Sequence, residues 1–169
     1  MKNKGFTLIE LLVVIVLMGL MAAWYTNSYF LQREKENLLS ATATVRSFLD
    51  NIRQGSVSVL VPEEVDPANF KGYGFSSSAD NNLITRVYVS NIGTTNLDNL
   101  DLGKFSHIEI VSPNSLVYFA KGSGYLLTTS DQTTSITIML KNSIINKCVT
   151  LEVNNQGIIT TNDDANCPP

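Results

Sequence analysis

The sequence predicts an α+β protein in which one long N-terminal helix packs against an antiparallel β domain. Residues 6–31 hold 20 apolar side chains out of 26. Apolar side chains then recur every three to four residues as far as Ile52, with no proline in that span, which indicates a continuing amphipathic helix. After Gly55 the apolar residues alternate as they do in strands. A length of 169 residues suits one domain with an accessory element rather than two full domains.

The charge of the chain argues against one class of function. The net charge is -3, and after residue 54 six Lys and Arg stand against eleven Asp and Glu. A protein that holds nucleic acid through its phosphates needs a basic surface, so a nucleic-acid partner is not favoured. A local cluster of Lys121, Lys141 and Lys147 stays open as a DNA contact.

Three interpretations compete for the N-terminal segment, where Lys2 and Lys4 precede an apolar run from Leu11 to Tyr25. A secretory signal peptide ends in a small-residue cleavage site, and Ala22-Ala23-Trp24 is a poor one. A plain membrane anchor needs about 20 apolar residues, which the segment supplies. It leaves Glu10 unexplained, because a charge at the centre of a membrane helix costs roughly 2.5 to 3.5 kcal/mol on insertion scales.

The third interpretation accounts for the lysines, the carboxylate and the apolar run together. Cleavage after Gly5 would create an amine on Phe6, which Glu10 at the fifth mature position would neutralise. The run Gly5-Phe6-Thr7-Leu8-Ile9-Glu10, followed by Leu-Leu-Val-Val-Ile-Val, resembles the class III signal of type IV prepilins and type II secretion pseudopilins. The resemblance implies a pilin fold, cleavage by prepilin peptidase between Gly5 and Phe6, methylation of Phe6, and pairing of Glu10 with the N-terminal amine of a neighbouring subunit.

The resemblance also implies four segments and a location. They are a leader at 1–5, a transmembrane and filament-core helix at 6–30, an amphipathic helix at 31–54 that packs on the head, and a β-rich head at 55–169. One helix from about 6 to 54 would measure roughly 73 Å at 1.5 Å per residue, with Gly55 as its stop signal. The N-terminus would face the cytoplasm and the head the outside of the inner membrane, before entry into an extracytoplasmic filament.

Six or seven short strands are predicted in the head, at 57–61, 83–89, 105–111, 116–119, 136–140, 148–153 and 157–160. The glycines Gly72 and Gly74 are expected in a turn. The passage from Leu39 to Val61, the stretch Gly72-Tyr73-Gly74-Phe75 and the hairpin over 147–159 are similar to the GspH/FimT-type pseudopilins and minor pilins. That similarity implies a minor subunit.

The chain has two cysteines, Cys148 and Cys167, which could form a disulfide. A turn at Asn154-Asn155-Gln156-Gly157 would return the chain past Cys148 and bring Cys167 close to it. Outside the cytoplasm a disulfide is expected, and two free buried thiols are the alternative.

No cofactor, metal site or catalytic group is expected. His107 is the single histidine, without ligand partners at metal spacing. The acidic groups Glu63-Glu64-Val-Asp66 and Asp163-Asp164 are interpreted as solvated loop acids, with calcium ligands as the alternative, and Asp163-Asp164 lacks the spaced oxygens of a calcium loop. The sequence thus predicts a non-enzymatic filament subunit whose partners are prepilin peptidase, other pilins or pseudopilins, the inner-membrane assembly platform and the cytoplasmic membrane. The alternatives are a DNA-uptake or adhesin subunit and, in another class, an enzyme anchored by one helix.

Overall fold

The computed structural model describes residues 7–61, 63, 65–80, 82–111, 115–164 and 167. One helix, α1 (Leu8–Val57), precedes nine strands in these residues. They are β1 (Phe70–Ser78), β2 (Leu83–Ser90), β3 (Thr94–Asp101), β4 (Ile108–Ile110), β5 (Ser115–Ala120), β6 (Leu126–Thr128), β7 (Ile136–Asn142), β8 (Lys147–Val153) and β9 (Ile159–Asp164). A single 3₁₀ turn, Leu102–Lys104, lies between β3 and β4.

The strands form two sheets in which every pairing is antiparallel. The first sheet has the order β3-β2-β1-β5-β6, and the second has the order β4-β7-β8-β9. The predicted combination of one long N-terminal helix with an antiparallel β head is therefore confirmed, and the architecture is pilin-like.

The second half of α1 supplies one side of the core shared by the two sheets. Leu38, Ala41, Val45, Leu49 and Ile52 are at most 2% exposed and recur at the three-to-four spacing of one helix face. This stripe contacts β1 and β5 of the first sheet and β7 and β8 of the second. The predicted role of residues 38–52 as a cover for the sheets is confirmed.

The helix runs further than the sequence indicated. Gly55, expected as the stop signal, lies inside α1 and is buried, and a Cβ at this position would lie 3.2 Å from the ring of Tyr73. The hydroxyl of the next residue, Ser56, accepts a hydrogen bond from the backbone N–H of Tyr73 at 2.7 Å. Because these tertiary contacts hold the last turn in helical form, the strand predicted at 57–61 is wrong.

Three strands were missed, and each lacks the expected pattern of side chains. β3 is an edge strand whose Thr, Asn and Asp residues are almost all exposed, and β6 has only three residues. β1 contains Gly72 and Gly74, which were expected in a turn but lie in the middle of the first sheet. A Cβ on Gly74 would lie 2.2 Å from the carbonyl oxygen of Val117, so this glycine allows β1 and β5 to approach each other closely.

Candidate functional site: the N-terminal helix and its junction with the head

The first turn of α1 is closed by a reciprocal pair of side chains. Thr7 is the N-cap residue, and its hydroxyl accepts the backbone N–H of Glu10 at 3.4 Å. The Oε2 atom of Glu10 in turn accepts the backbone N–H of Thr7 at 2.9 Å and its hydroxyl at 2.8 Å. This capping box holds the carboxylate at the positive end of the helix dipole. The predicted cleavage and methylation positions, Gly5 and Phe6, lie outside the described residues.

The apolar half of α1 is not buried against the head. Every residue from Thr7 to Arg33 is exposed, including Trp24 at 87% and Met21 at 73%. Thr26 satisfies its hydroxyl by donating to the carbonyl oxygen of Ala22 at 2.7 Å. The segment is apolar enough and long enough to cross a membrane, and none of its most apolar 18-residue window is buried. A helix that is apolar on all sides requires a non-aqueous neighbour, which is a bilayer or other helices.

A buried carboxylate marks the point where α1 meets the head. Glu34 is 3% exposed, although its neighbours Arg33 and Lys35 are exposed. Its Oε2 atom accepts a hydrogen bond from the side-chain amide of Asn142 at 2.8 Å, and the Nδ1 atom of His107 lies 3.3 Å from the same oxygen. These contacts tie the helix to the end of β7 and to the residue before β4.

The electrostatics of this junction favour the ionised carboxylate. The amide of Asn142 lowers the pKa of Glu34 below its usual value, His107 adds to that effect, and burial opposes it. From the sequence, His107 was considered as a metal ligand and set aside. Its pairing with Glu34 was missed because 73 residues separate the two in the chain, and no local pattern signals such a contact.

A second polar cluster lies on the head itself. The ammonium of Lys71 lies 2.7 Å from Oδ2 of Asp131, and the hydroxyl of Tyr118 donates to the other carboxylate oxygen. Lys71 and then Tyr118 lower the pKa of Asp131, while burial followed by the bond to Asp131 raises the pKa of Tyr118. The three groups bind one another, and this cluster ties β1 and β5 to the loop that follows β6.

The predicted disulfide between Cys148 and Cys167 is present, with Cα atoms 5.3 Å apart. The predicted turn over 154–157 is present as well, with Gly157 at φ 73° and its N–H bonded to the carbonyl of Asn154 at 2.9 Å. The C-terminal end of the chain is thereby fastened to the start of β8.

Lys121 and Lys147, two of the three lysines proposed as a DNA contact, lie at opposite ends of the packed part of α1. The ammonium of Lys121 donates to the carbonyl of Pro67, and the N–H of the following Gly122 bonds to Ser56 near the end of α1. Lys147 lies beside Lys35, at the other end of the packed part of the helix. The separation along the axis is roughly 30 Å at 1.5 Å per residue.

The acidic groups show no cation-binding arrangement among the residues that the structure describes. No group of three or more His, Cys, Asp or Glu side chains converges there. Asp66 instead caps its own turn by accepting the N–H of Ala68 at 3.0 Å. Glu64 lies outside the described residues.

These features define a pilin-like architecture whose N-terminal helix is long and apolar enough to cross a membrane. The model of the prokaryotic N-terminal methylation motif matches residues 1–25, which supports a class III signal of prepilin type. That signal implies processing by prepilin peptidase and assembly with other pilins. No curated protein and no solved structure shows a significant match to the chain.

Proposed function

We propose that this chain is a structural subunit, a minor pilin or pseudopilin, of a type IV pilus-like or type II secretion filament. Prepilin peptidase cuts between Gly5 and Phe6, and the new N-terminus of Phe6 is methylated. Residues 6–30 then hold the protein in the inner membrane, with the N-terminus inside and the head outside, until it enters the filament. The inner-membrane assembly platform and other pilins are its partners in that step.

The observation that carries this proposal is the position of Glu10 within the methylation motif. Its carboxylate lies at the first turn of α1, bonded to Thr7, which becomes the second residue after cleavage. The carboxylate is therefore held at the start of the helix, four residues after the amine that cleavage would create on Phe6. In a filament core of low dielectric, either charge alone would be strongly disfavoured, so the Glu10 carboxylate and the amine of a neighbouring subunit set the register between helices.

The surface of the apolar half supports the same assignment. Leu11, Val14 and Leu17 are 43% to 58% exposed although they are aliphatic, and the apolar surface extends around the whole helix. Such a surface fits lipid before assembly and neighbouring helices afterwards. In families of this type some tip subunits lack the glutamate, so the presence of Glu10 favours a position within or below the tip.

Mass spectrometry of the N-terminus tests the maturation step. The full chain, coexpressed with a prepilin peptidase, is expected to lose residues 1–5 and to gain one methyl group on Phe6. Gly5→Val is expected to block cleavage because the peptidase cuts directly after this small residue. Gly19→Ala is the matched control, since a Cβ there meets nothing within 4 Å. An intact Met1 in filament-incorporated protein contradicts the proposal.

Glu10→Gln tests the assembly step separately. The variant keeps the size of the side chain and removes its charge, so it is expected to be cleaved and anchored but absent from filaments isolated from cells that carry the complete assembly machinery. Incorporation at the wild-type level would show that the carboxylate has no part in assembly.

A further inference from the structure

An open groove lies at the base of the head beside α1. We name it the basal groove, and its lining residues are Leu31, Gln32, Lys35, Ile144, Ile145 and Lys147. Its volume is about 560 Å³. The floor is aliphatic, and Leu31 and Ile144 are 47% and 48% exposed. The turn between β7 and β8 carries isoleucines at 144 and 145. This is unusual for a surface that faces water, because turn residues are ordinarily polar.

The charged residues that line the basal groove are both lysines. Both Lys35 and Lys147 are exposed, and neither forms an ion pair within the described part of the chain. Of the neighbouring carboxylates, Glu34 is directed into the head. Glu36 accepts a bond at 3.4 Å from Gln32, which itself lines the groove. Asp163 lines the adjoining pocket together with Leu38, Leu39 and the same two lysines, and it forms no ion pair with either lysine.

The basal groove starts where the proposed membrane segment ends. Leu31 directly follows residues 6–30, and Lys35 is only about 6 Å further along the axis at 1.5 Å per residue. The opposite end of the head, where the N–H of Gly122 bonds to Ser56, lies roughly 30 Å beyond Lys35 along the axis. The base of the head is therefore held at the level of the lipid headgroups.

We propose that the basal groove seats anionic phospholipid headgroups, with the side chain of Ile144 inserted at the acyl boundary. Lys35 and Lys147 would bind the phosphates while their methylene stems and the isoleucines cover apolar surface. The proposal rests on membrane anchoring in the function proposed above and adds that the head docks on the bilayer instead of standing free of it. Docking would fix the tilt of the head before the subunit enters a filament.

Tryptophan quenching in vesicles tests the docking. Trp24 is the only tryptophan, so Trp24→Phe combined with Ile144→Trp gives a single reporter at the basal groove. Trp24→Phe with Ile92→Trp is the matched control, because Ile92 is 86% exposed at the far end of the head. The full chain is placed in vesicles of phosphatidylcholine, with or without phosphatidylglycerol, that contain lipids brominated near the headgroup.

With phosphatidylglycerol, the reporter at 144 is expected to be quenched and the reporter at 92 is not. Each lysine near an anionic surface contributes about fivefold to the docking equilibrium, so Lys35→Gln with Lys147→Gln lowers it about 30-fold. Lys121→Gln, which removes a lysine at the far end, leaves it unchanged. Equal quenching without phosphatidylglycerol overturns the headgroup site. A reporter at 144 that is shifted to the blue but not quenched shows instead that a second copy of the chain covers the groove, and also overturns it.

The wild-type chain separates this proposal from the anchoring on which it rests. Quenching of Trp24 reports insertion of α1 alone. If Trp24 is quenched and the reporter at 144 is not, the anchor stands and the docking site is overturned. If Trp24 is not quenched, the anchoring is wrong and the docking site fails with it.

Discussion

The two halves of α1 are one continuous helix that meets two different surroundings. From Thr7 to Arg33 every residue is exposed, and apolar side chains occur on all sides. From Glu34 to Ser56 nine residues are buried, and those that are apolar form a single stripe against the head. The difference shows that apolar side chains alone do not identify a core. A helix that is apolar on all sides needs lipid or other helices around it, whereas the amphipathic half already packs its apolar face against the head.

The largest expected effect contrasts a leucine from each half. Leu49 is fully buried between the helix and the sheets, and Leu49→Ala is expected to lower the free energy of unfolding by about 2 to 5 kcal/mol through lost burial and a residual cavity. Leu17→Ala, in the exposed half, is expected to leave head stability unchanged. Denaturant unfolding of the detergent-solubilised full chain measures both. Similar losses in the two variants would show that the apolar half is coupled to the head.

Loss of the disulfide is expected to give the second-largest loss of stability, and only in the part of the protein that contains the packed half of α1. Cys148 lines a pocket with Leu38 and Leu39, so the bond to Cys167 holds the C-terminal end beside this part of α1. Reduction is expected to lower the free energy of unfolding by roughly 3 kcal/mol on the loop-entropy estimate. The double variant Cys148→Ser with Cys167→Ser should lose the same amount and be insensitive to reductant. A reductant effect that persists in this variant would contradict the assignment.

The smallest expected effect lies at the boundary between the halves and depends on pH. Because the amide of Asn142 and then His107 lower the pKa of Glu34, its ionised form stabilises the folded head at pH values above the ordinary value of 4.5. That contribution is lost as pH falls through the lower pKa of the folded state. The difference in melting temperature between wild type and Glu34→Gln should therefore be present at neutral pH and close below pH 4.5. A difference independent of pH would show that only the shape of Glu34 matters.

Local patterns in the sequence were sufficient for some elements and not for others. The helical spacing of Leu38, Val45 and Leu49 predicted the buried face, and the alternation at 136–140 and 148–153 predicted β7 and β8. β3 escaped prediction because an edge strand with one solvated face needs no apolar alternation. β1 escaped because its glycines are explained only by the closeness of β5, which no local pattern reveals.

The candidate site divides in the same way. The cleavage motif, Glu10 and the apolar run are adjacent in the chain, so their resemblance to the prepilin signal predicted a membrane-anchored pilin-like protein without any knowledge of the head. The disulfide was predicted from a turn between two cysteines. The contact of Glu34 with His107 and the basal groove were not, because each joins α1 to residues more than 70 positions away.

The sequence by itself determined which segment is able to cross a membrane, because crossing a bilayer requires a long unbroken apolar segment that can be recognised along the chain. The tertiary structure decided where the helix ends and how it is fixed to the head. Tyr73 packs against Gly55 and bonds to Ser56 in the last turn of the helix, and Asn142 and His107 contact the carboxylate of the buried Glu34. Burial and hydrogen bonding between segments that are distant in the chain arise only when the chain folds. They therefore decide the end of the helix and its attachment to the head.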